Sequence, residues 1–248
     1  MKRPALDIGE RVVSVCGSAA IKASIDCFIQ PVSGPPQKVR GWWLPAHDRH
    51  FERYFQEVYF EEYFELLKGG RPAYQARPQW KAIKNFGTLL RGRKLALDIG
   101  AHVGMWSAVM ATQFKRVVAF EPIAENRACL ALNAPTVEIM PYALSNKSGT
   151  LSLTNPEPTN SGAWTIAGEG TAVRCLALDD FVGLEPNFVK IDVQDGVLDM
   201  LEGGRRTLCS SKPMIALEGT DEEHTFLEDM GFRSFWRGNR DGIYVWSD

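Results

Sequence analysis

The stretch Leu95-Ala96-Leu97-Asp98-Ile99-Gly100-Ala101-His102-Val103-Gly104-Met105-Trp106-Ser107 decides how this chain is read. An apolar run ends in an acid, two glycines follow, and the pattern then turns helical. That is a strand passing through a tight loop into a helix. In an open parallel sheet, ligands bind beyond the carboxyl ends of the strands, where such loops lie. Gly100 permits a turn that a side chain would obstruct, and Gly104 lets the helix sit close to the strand. The first helical N–H groups are then expected to face the ligand.

A dinucleotide-binding loop would read G-x-G-x-x-G directly after the strand. Here the pattern is D-x-G-x-x-x-G, with His102 where a middle glycine would stand. A carboxylate at Asp98 is poorly placed to cradle pyrophosphate, since both are anionic. It suits an ammonium group, or a loop whose N–H groups need an acceptor. The next strand-like run, "VVAFEP", places Glu121 23 positions after Asp98. An acid at the end of the second strand, about 20 residues on, accepts hydrogen bonds from ribose hydroxyls. The third run, "VEIMPYALS", ends near Tyr142 and Ala143, in position to line an adenine pocket. S-adenosylmethionine carries an ammonium group, a ribose and an adenine together.

Outward from this stretch, strand-like runs recur at "RVVAFEP", "TVEIMPYAL", "NFVKIDV" and "PMIALEG". Helical segments are expected over Met105 to Phe114, Ala124 to Asn133 and Val197 to Leu208. Strands alternating with helices give a mostly parallel sheet covered on both faces, an α/β fold. "GTLSLTN" and "TAVRCLAL" read as an added hairpin or edge strands, and "FRSFW" and "GIYVWSD" as an antiparallel pair at one edge. The composition changes near residue 90, so residues 1–89 read as an N-terminal α/β extension and 90–248 as the ligand-binding domain. Within the extension, "HFERYFQEVYFEEYFELLKGG" reads as an aromatic helix stopped by Gly69 and Gly70. Its rings fall on more than one face, as in a lid or a homodimer contact.

The chain has 248 residues, 45% of them hydrophobic and 23% charged, with a formal net charge of −2. That composition is ordinary for a globular domain, and its balance gives no global drive toward a polyanion. Nucleic acid stays open as a partner only through a local patch such as "FRSFWRGNR". Five scattered cysteines suggest neither a disulfide framework nor a zinc knuckle, and point to a reducing, cytoplasmic setting. No apolar run is long enough to span a bilayer, and the N-terminus does not read as a signal peptide. His47, Asp48 and His50 in "HDRH" read as a solvated helix start rather than a metal site, and no metal is indicated, with an oxygen-rich magnesium site near Asp192 left open.

Taken together, "ALDIGAHVGMWS", "VVAFEPIAEN", "ALSNKSGTLSL", "LDDF" and "FVKIDVQDGVLDMLEGG" resemble the FkbM-type methyltransferases, a branch of the class I S-adenosylmethionine-dependent enzymes. The resemblance covers roughly residues 90–220. It implies a Rossmann-like, seven-stranded, doubly wound sheet with an antiparallel last strand, and O-methylation of hydroxyls on sugars and other small metabolites. It assigns Asp98, Gly100, Ala101, His102 and Gly104 to the cofactor loop, Glu121 to the ribose, and Pro122 and Asn126 to the start of the next helix. It places Asp192 at the end of the fourth strand, beside the methyl-transfer site. The family commonly reads K-I-D-V-E-G-x-E there. This chain has Asp195 at the usual glycine and Val197 at the usual second acid.

Methyl transfer to a hydroxyl needs the acceptor oxygen held in line and its proton removed. Asp192 is the first candidate for that base and His102 the second. Lys190, two residues before Asp192 on a strand, shares its face and is expected to pair with it. "NSGAW" (160–164) reads as a substrate loop with Trp164 against a sugar or base. "RPAYQARPQW" reads as a cover or a plain linker, with Tyr74 and Gln75 reaching inward in the first case. Two other classes compete with an O-methyltransferase. One is a catalytically weakened, cofactor-binding interaction module, favoured by Asp195 and Val197. The other is a nicotinamide enzyme, disfavoured by the missing third glycine.

Overall fold

The computed structural model describes residues 34–51, 64–66, 72–74 and 89–247. Two short hairpins come first. β1 (Gln37–Val39) pairs antiparallel with β2 (Trp42–Leu44), and β3 (Phe64–Leu66) with β4 (Pro72–Tyr74). Arg40 and Gly41, both at positive φ, close the first with the two-residue turn that suits strand twist. The second corrects the sequence reading: the aromatic segment does not run as a helix to Gly69, because residues 64–66 are already strand. A glycine pair follows a helix or a strand equally well, and Gly69 and Gly70 themselves lie outside the described residues. The rest of that segment, Gln75 and "ARPQW" lie outside the described residues.

The central sheet has the strand order β14-β15-β13-β12-β5-β6-β7. In chain order these are β5 (Leu95–Ile99), β6 (Arg116–Phe120), β7 (Glu138–Met140), β12 (Phe188–Ile191), β13 (Met214–Glu218), β14 (Phe232–Arg237) and β15 (Asp241–Trp246). Only β15 runs against its neighbours, inserted between β13 and β14. With helices on the faces, this is the Rossmann-like class I methyltransferase topology, as expected. Between β7 and β12 the chain adds a smaller sheet, β10-β9-β11-β8, from β8 (Ala143–Leu144), β9 (Gly149–Thr154), β10 (Thr165–Ile166) and β11 (Thr171–Leu176). The expected hairpin of "GTLSLTN" and "TAVRCLAL" is its centre, β9 against β11.

The central strands alternate between two cores. Leu97, Ile99, Phe120, Val189, Ile191 and Leu217 pack on one face. Ala96, Ala119 and Ala216 lie on the other, and their small size leaves room for the rings of Trp106, Phe114 and Phe188. Asp98 and Lys190 sit on this second face, side by side in the β5–β12 register.

Five described helices follow: α1 (Met105–Met110), α2 (Ala124–Asn133), α3 (Val197–Gly203), α4 (Arg205–Ser211) and α5 (Asp221–Asp229). α2 has the expected bounds. α1 is shorter than expected, because after Met110 the N–H groups of Thr112 and Gln113 bond three residues back and tighten the chain out of the helix. The expected helix from Val197 to Leu208 is two helices meeting at Gly204. Asp179, on a 3₁₀ turn, accepts the N–H groups of Arg206 and Thr207 and so caps a new helix there.

The β1–β2 hairpin docks on the main body. Trp42 and Leu44 are buried against Val103, Met105 and Cys129. Asn133, at the end of α2, accepts from Trp43 N–H and donates to the carbonyls of Trp43 and Val103.

Candidate active site

The loop after β5 closes onto the end of β6. Gly100 and Ala101 N–H donate to the Phe120 carbonyl at 3.1 Å. Gly100 has φ +74°, and a Cβ there would lie 2.1 Å from the Asp192 carbonyl oxygen. Gly104 has φ +84°, and a Cβ there would lie 2.9 Å from Leu130 Cγ on α2. Both glycines therefore do what the sequence suggested: one admits a neighbouring backbone, the other a neighbouring helix. α1 begins directly after this loop, at Met105, and has six residues.

Glu121 is buried at the end of β6. One carboxylate oxygen accepts His102 N–H at 2.8 Å, and the other accepts Ile123 N–H at 2.9 Å, with Asn126 Nδ2 at 3.4 Å. Burial raises its pKa, and the N–H groups of Ile123 and His102 offset only part of that rise. Glu121 thus clasps the first loop while facing an open cavity of roughly 700 Å³. Gly100, His102, Pro122, Asn126, Tyr142 and Ala143 line the same cavity, which brings together seven of the predicted positions, Glu121 included. Apolar side chains of Phe120, Ile123, Leu144, Leu151, Leu153 and Val193 form most of the wall.

Two lining residues carry buried polar atoms with no partner among the described residues, Asn126 Oδ1 and Trp164 Nε1. Such orphans are uncommon and point to a ligand or water that satisfies them. A nucleoside fits this donor set: ribose hydroxyls can donate to Glu121 and to Asn126 Oδ1, and a flat base suits the apolar wall.

Ala101, Gly104, Asp98, Lys190 and Asp192 do not line the cavity. Ala101 and Gly104 are loop scaffold. Asp98 is fully buried, accepts the Ser107 hydroxyl at 2.6 Å and lies 3.3 Å from Lys190 Nζ. The ammonium that Asp98 meets in this structure is that of Lys190. Lys190 also donates to the Gly100 carbonyl at 2.7 Å and lies 3.4 Å from Asp192. Burial alone would lower the Lys190 pKa, but the two carboxylates outweigh it and hold the ammonium charged. Its expected pairing with Asp192 is present. Lys190 ties three elements of the site together and is too buried to reach a substrate.

His102 sits at φ +51°, a left-handed conformation that histidine and asparagine tolerate better than most residues. Its ring stacks on Phe51 with centroids 5.5 Å apart, and Nε2 lies 2.6 Å from Ser161 Oγ. Burial lowers its pKa to about 4; Asp48 and Asp192 oppose the shift, while Lys190 and His50 reinforce it. The imidazole is neutral at pH 7 and able to accept a proton. Asp48, read from sequence as part of a solvated helix start, is instead fully buried, accepting from Phe51 N–H and from both N–H and hydroxyl of Ser161. Helix-cap chemistry is right for Asp48; the solvation is not, because the loop around Ser161 covers it.

Sequence reasoning placed Ser161 in a substrate loop without its partners, weighed Asp195 only as a departure from the family pattern, and missed Gln194 as a site residue. Gln194 and Asp195 line the cavity, and Asp195 accepts Gly196 N–H at 2.8 Å. Val197, at the position where a second acid is usual, is buried in the core at the start of α3. Asp195 therefore stands at the cavity, while Val197 serves packing. Of the "NSGAW" loop, Gly162 and Trp164 line the cavity as expected.

The family model described as the methyltransferase FkbM domain matches residues 98–237, more than half of the chain. The chain belongs to the FkbM methyltransferase family. Within that family's reach, it is 30% identical over 122 residues to the hexuronic acid methyltransferase AglP of Haloferax volcanii, an alignment spanning 46% of this chain and 51% of AglP. The match thus spans about half the length of that curated relative. Among solved structures, an FkbM methyltransferase from Methylobacillus flagellatus is 19% identical with a TM-score of 0.48, covering 64% of this chain and 45% of that one. A precorrin-6y C5,15-methyltransferase from Geobacter metallireducens is 18% identical with a TM-score of 0.43, covering 75% and 94%. The fold of this FkbM-family chain is established by its own strand order.

No helix among the described residues is long and apolar enough to cross a membrane. The described residues hold no cluster of three or more His, Cys, Asp or Glu side chains placed for a metal.

Proposed function

We propose that this FkbM-family chain binds S-adenosylmethionine and O-methylates a hydroxyl of a saccharide or similar small metabolite. The observation that carries this reading is the cavity at the ends of β5 and β6, lined by Glu121, by Asn126, whose buried Oδ1 has no partner among the described residues, and by an apolar wall. Glu121 and Asn126 would hold the ribose, the Tyr142–Ala143 turn would border the base, and Gly100 and His102 would border the amino-acid end. Asp98 contributes by fixing Lys190, and through it Gly100 and Asp192. When bound, S-adenosylmethionine supplies a methyl carbon already activated on a sulfonium.

The chain's own residues must orient the acceptor hydroxyl and take its proton. His102 is the better placed base, since it lines the cavity while Asp192 faces Lys190. A pKa near 4 does not disqualify it. An alcohol oxygen becomes strongly acidic as its bond to carbon forms, so a weak base suffices late in the reaction. Asp192 and Lys190 act as supports for the first loop. A saccharide acceptor is favoured by the likeness to a hexuronic acid methyltransferase and by Trp164 at the cavity, whose ring can cover a sugar face.

Calorimetric titration with S-adenosylmethionine and its demethylated product tests cofactor binding. Transfer of a labelled methyl group to a panel of uronic acids, neutral sugars and hydroxylated metabolites tests the reaction. Binding followed by incorporation into a sugar hydroxyl is expected. Binding without incorporation into any acceptor would instead favour a cofactor-binding module.

A further inference from the structure

Asp48, Ser161 and His102 lie far apart in sequence and form one continuous hydrogen-bonded line at the cavity. Asp48 Oδ2 accepts both the backbone N–H of Ser161, at 3.0 Å, and its hydroxyl, through a short contact. Ser161 Oγ then lies 2.6 Å from His102 Nε2. Thr159, two residues earlier, accepts the N–H groups of Arg49 and His50, which fixes the two segments against each other. Asp48 lies outside residues 98–237, so a side chain beyond the family domain enters the site.

Proton counting decides the direction of the line. Asp48 also accepts Phe51 N–H, so donors face both of its oxygens, as an ionised carboxylate requires. A serine hydroxyl has one proton, and here it goes to Asp48. Ser161 Oγ can then only accept from the ring, which makes His102 Nε2 the protonated nitrogen. Nδ1 keeps its lone pair and has no partner among the described residues. Gly162, also a cavity residue, faces this edge: a Cβ on it would lie 3.5 Å from Cε1 and 3.7 Å from Nδ1.

We infer that Asp48 and Ser161 are positioning residues that lock His102 as its Nε2–H tautomer, so that Nδ1 is the proton acceptor of the cavity. The inference rests on the methyltransferase reading only for the use made of that lone pair. In that use, the acceptor's hydroxyl proton passes to Nδ1, and the resulting imidazolium is held by Ser161 and the Asp48 charge. The charged and titratable groups facing the ring are Asp48, Asp192, Lys190 and His50. Phe51 stacks on it, and a neutral ring stacks without desolvating a charge.

The test is ¹⁵N NMR of the full chain labelled at histidine, which has four such residues, with His102→Asn assigning the signals. In the wild type at pH 7, a downfield ring proton on Nε2 and an unprotonated Nδ1 are expected. Ser161→Ala should abolish the downfield proton signal while leaving the chain folded. Asp48→Ala returns the serine proton to the ring and should raise the Nδ1–H population; if that variant fails to fold, Ser161→Ala still decides. A wild-type ring protonated at Nδ1, or a downfield signal unchanged in Ser161→Ala, overturns the inference. A parallel titration with S-adenosylmethionine separates the two claims. An intact Nε2–H signal without nucleoside binding supports the lock and overturns methyl transfer. Binding with the wrong tautomer does the reverse.

Discussion

At the scale of residues, His102 makes a prediction that needs no substrate. Its pKa is lowered to about 4 in the folded chain, against about 6.5 when unfolded. The unfolded ring therefore takes up a proton first as pH falls. This contribution to stability is complete above pH 6.5 and is lost as pH falls toward 4. Its upper bound is roughly 3 kcal/mol, reduced because one edge of the ring meets solvent. His102→Asn should therefore show a smaller fall in Tm than the wild type between pH 7 and pH 4.5, by thermal unfolding monitored with circular dichroism. Parallel Tm curves for the two proteins would contradict the burial assigned to the ring. That Asp98 and Glu121 end adjacent strands was legible in the sequence, because acids at such ends recur at a spacing set by one helical crossover; that only Glu121 lines the cavity was not. Their partners were not legible. That Asp98 meets Lys190 follows from β5–β12 register, and that Asp48 meets Ser161 follows from a contact across 113 positions. Neither leaves a periodic trace.

At the scale of elements, the loop after β5 is the most constrained piece of backbone. Gly100→Ala would place a Cβ against the Asp192 carbonyl and force a strained positive φ. A loss on the order of 2–4 kcal/mol is expected, measured by urea unfolding. The same substitution at Gly168, where a Cβ would meet nothing, should cost under about 1 kcal/mol. Equal losses at the two positions would refute the close approach. The central strands and the bounds of α2 were readable because alternation and turn residues are local signals; the order of the strands in the sheet is not such a signal. The break at Gly204 was not readable, since the cap that makes it comes from Asp179, 27 residues away from Arg206. The hairpin at 64–74 was misread because aromatic residues serve helix and strand alike, and the glycine pair marked an end without saying of what.

At the scale of the whole molecule, the segment before the family domain is part of the site. It is anchored by Trp42, 1% exposed, and by the three hydrogen bonds of Asn133. Trp42→Ala should cost about 3–5 kcal/mol if the hairpin stays docked, and less if it can undock as a unit. Hydrogen exchange separates the cases. Undocking should speed exchange at Arg49, His50 and Ser161, whose N–H groups bridge the two segments, while β5 and β12 stay protected. Unchanged protection at those three amides would contradict the anchoring role of Trp42.

The most direct measurement is the affinity of the wild type and of Glu121→Gln for S-adenosylmethionine. Gln keeps an acceptor for the loop but removes the charge proposed to hold the ribose. Binding by the wild type and a weakening of at least about tenfold in the variant, with an unchanged circular dichroism spectrum, is the predicted result. Absence of binding by the wild type at millimolar nucleoside, or equal affinity in the two proteins, would contradict the account.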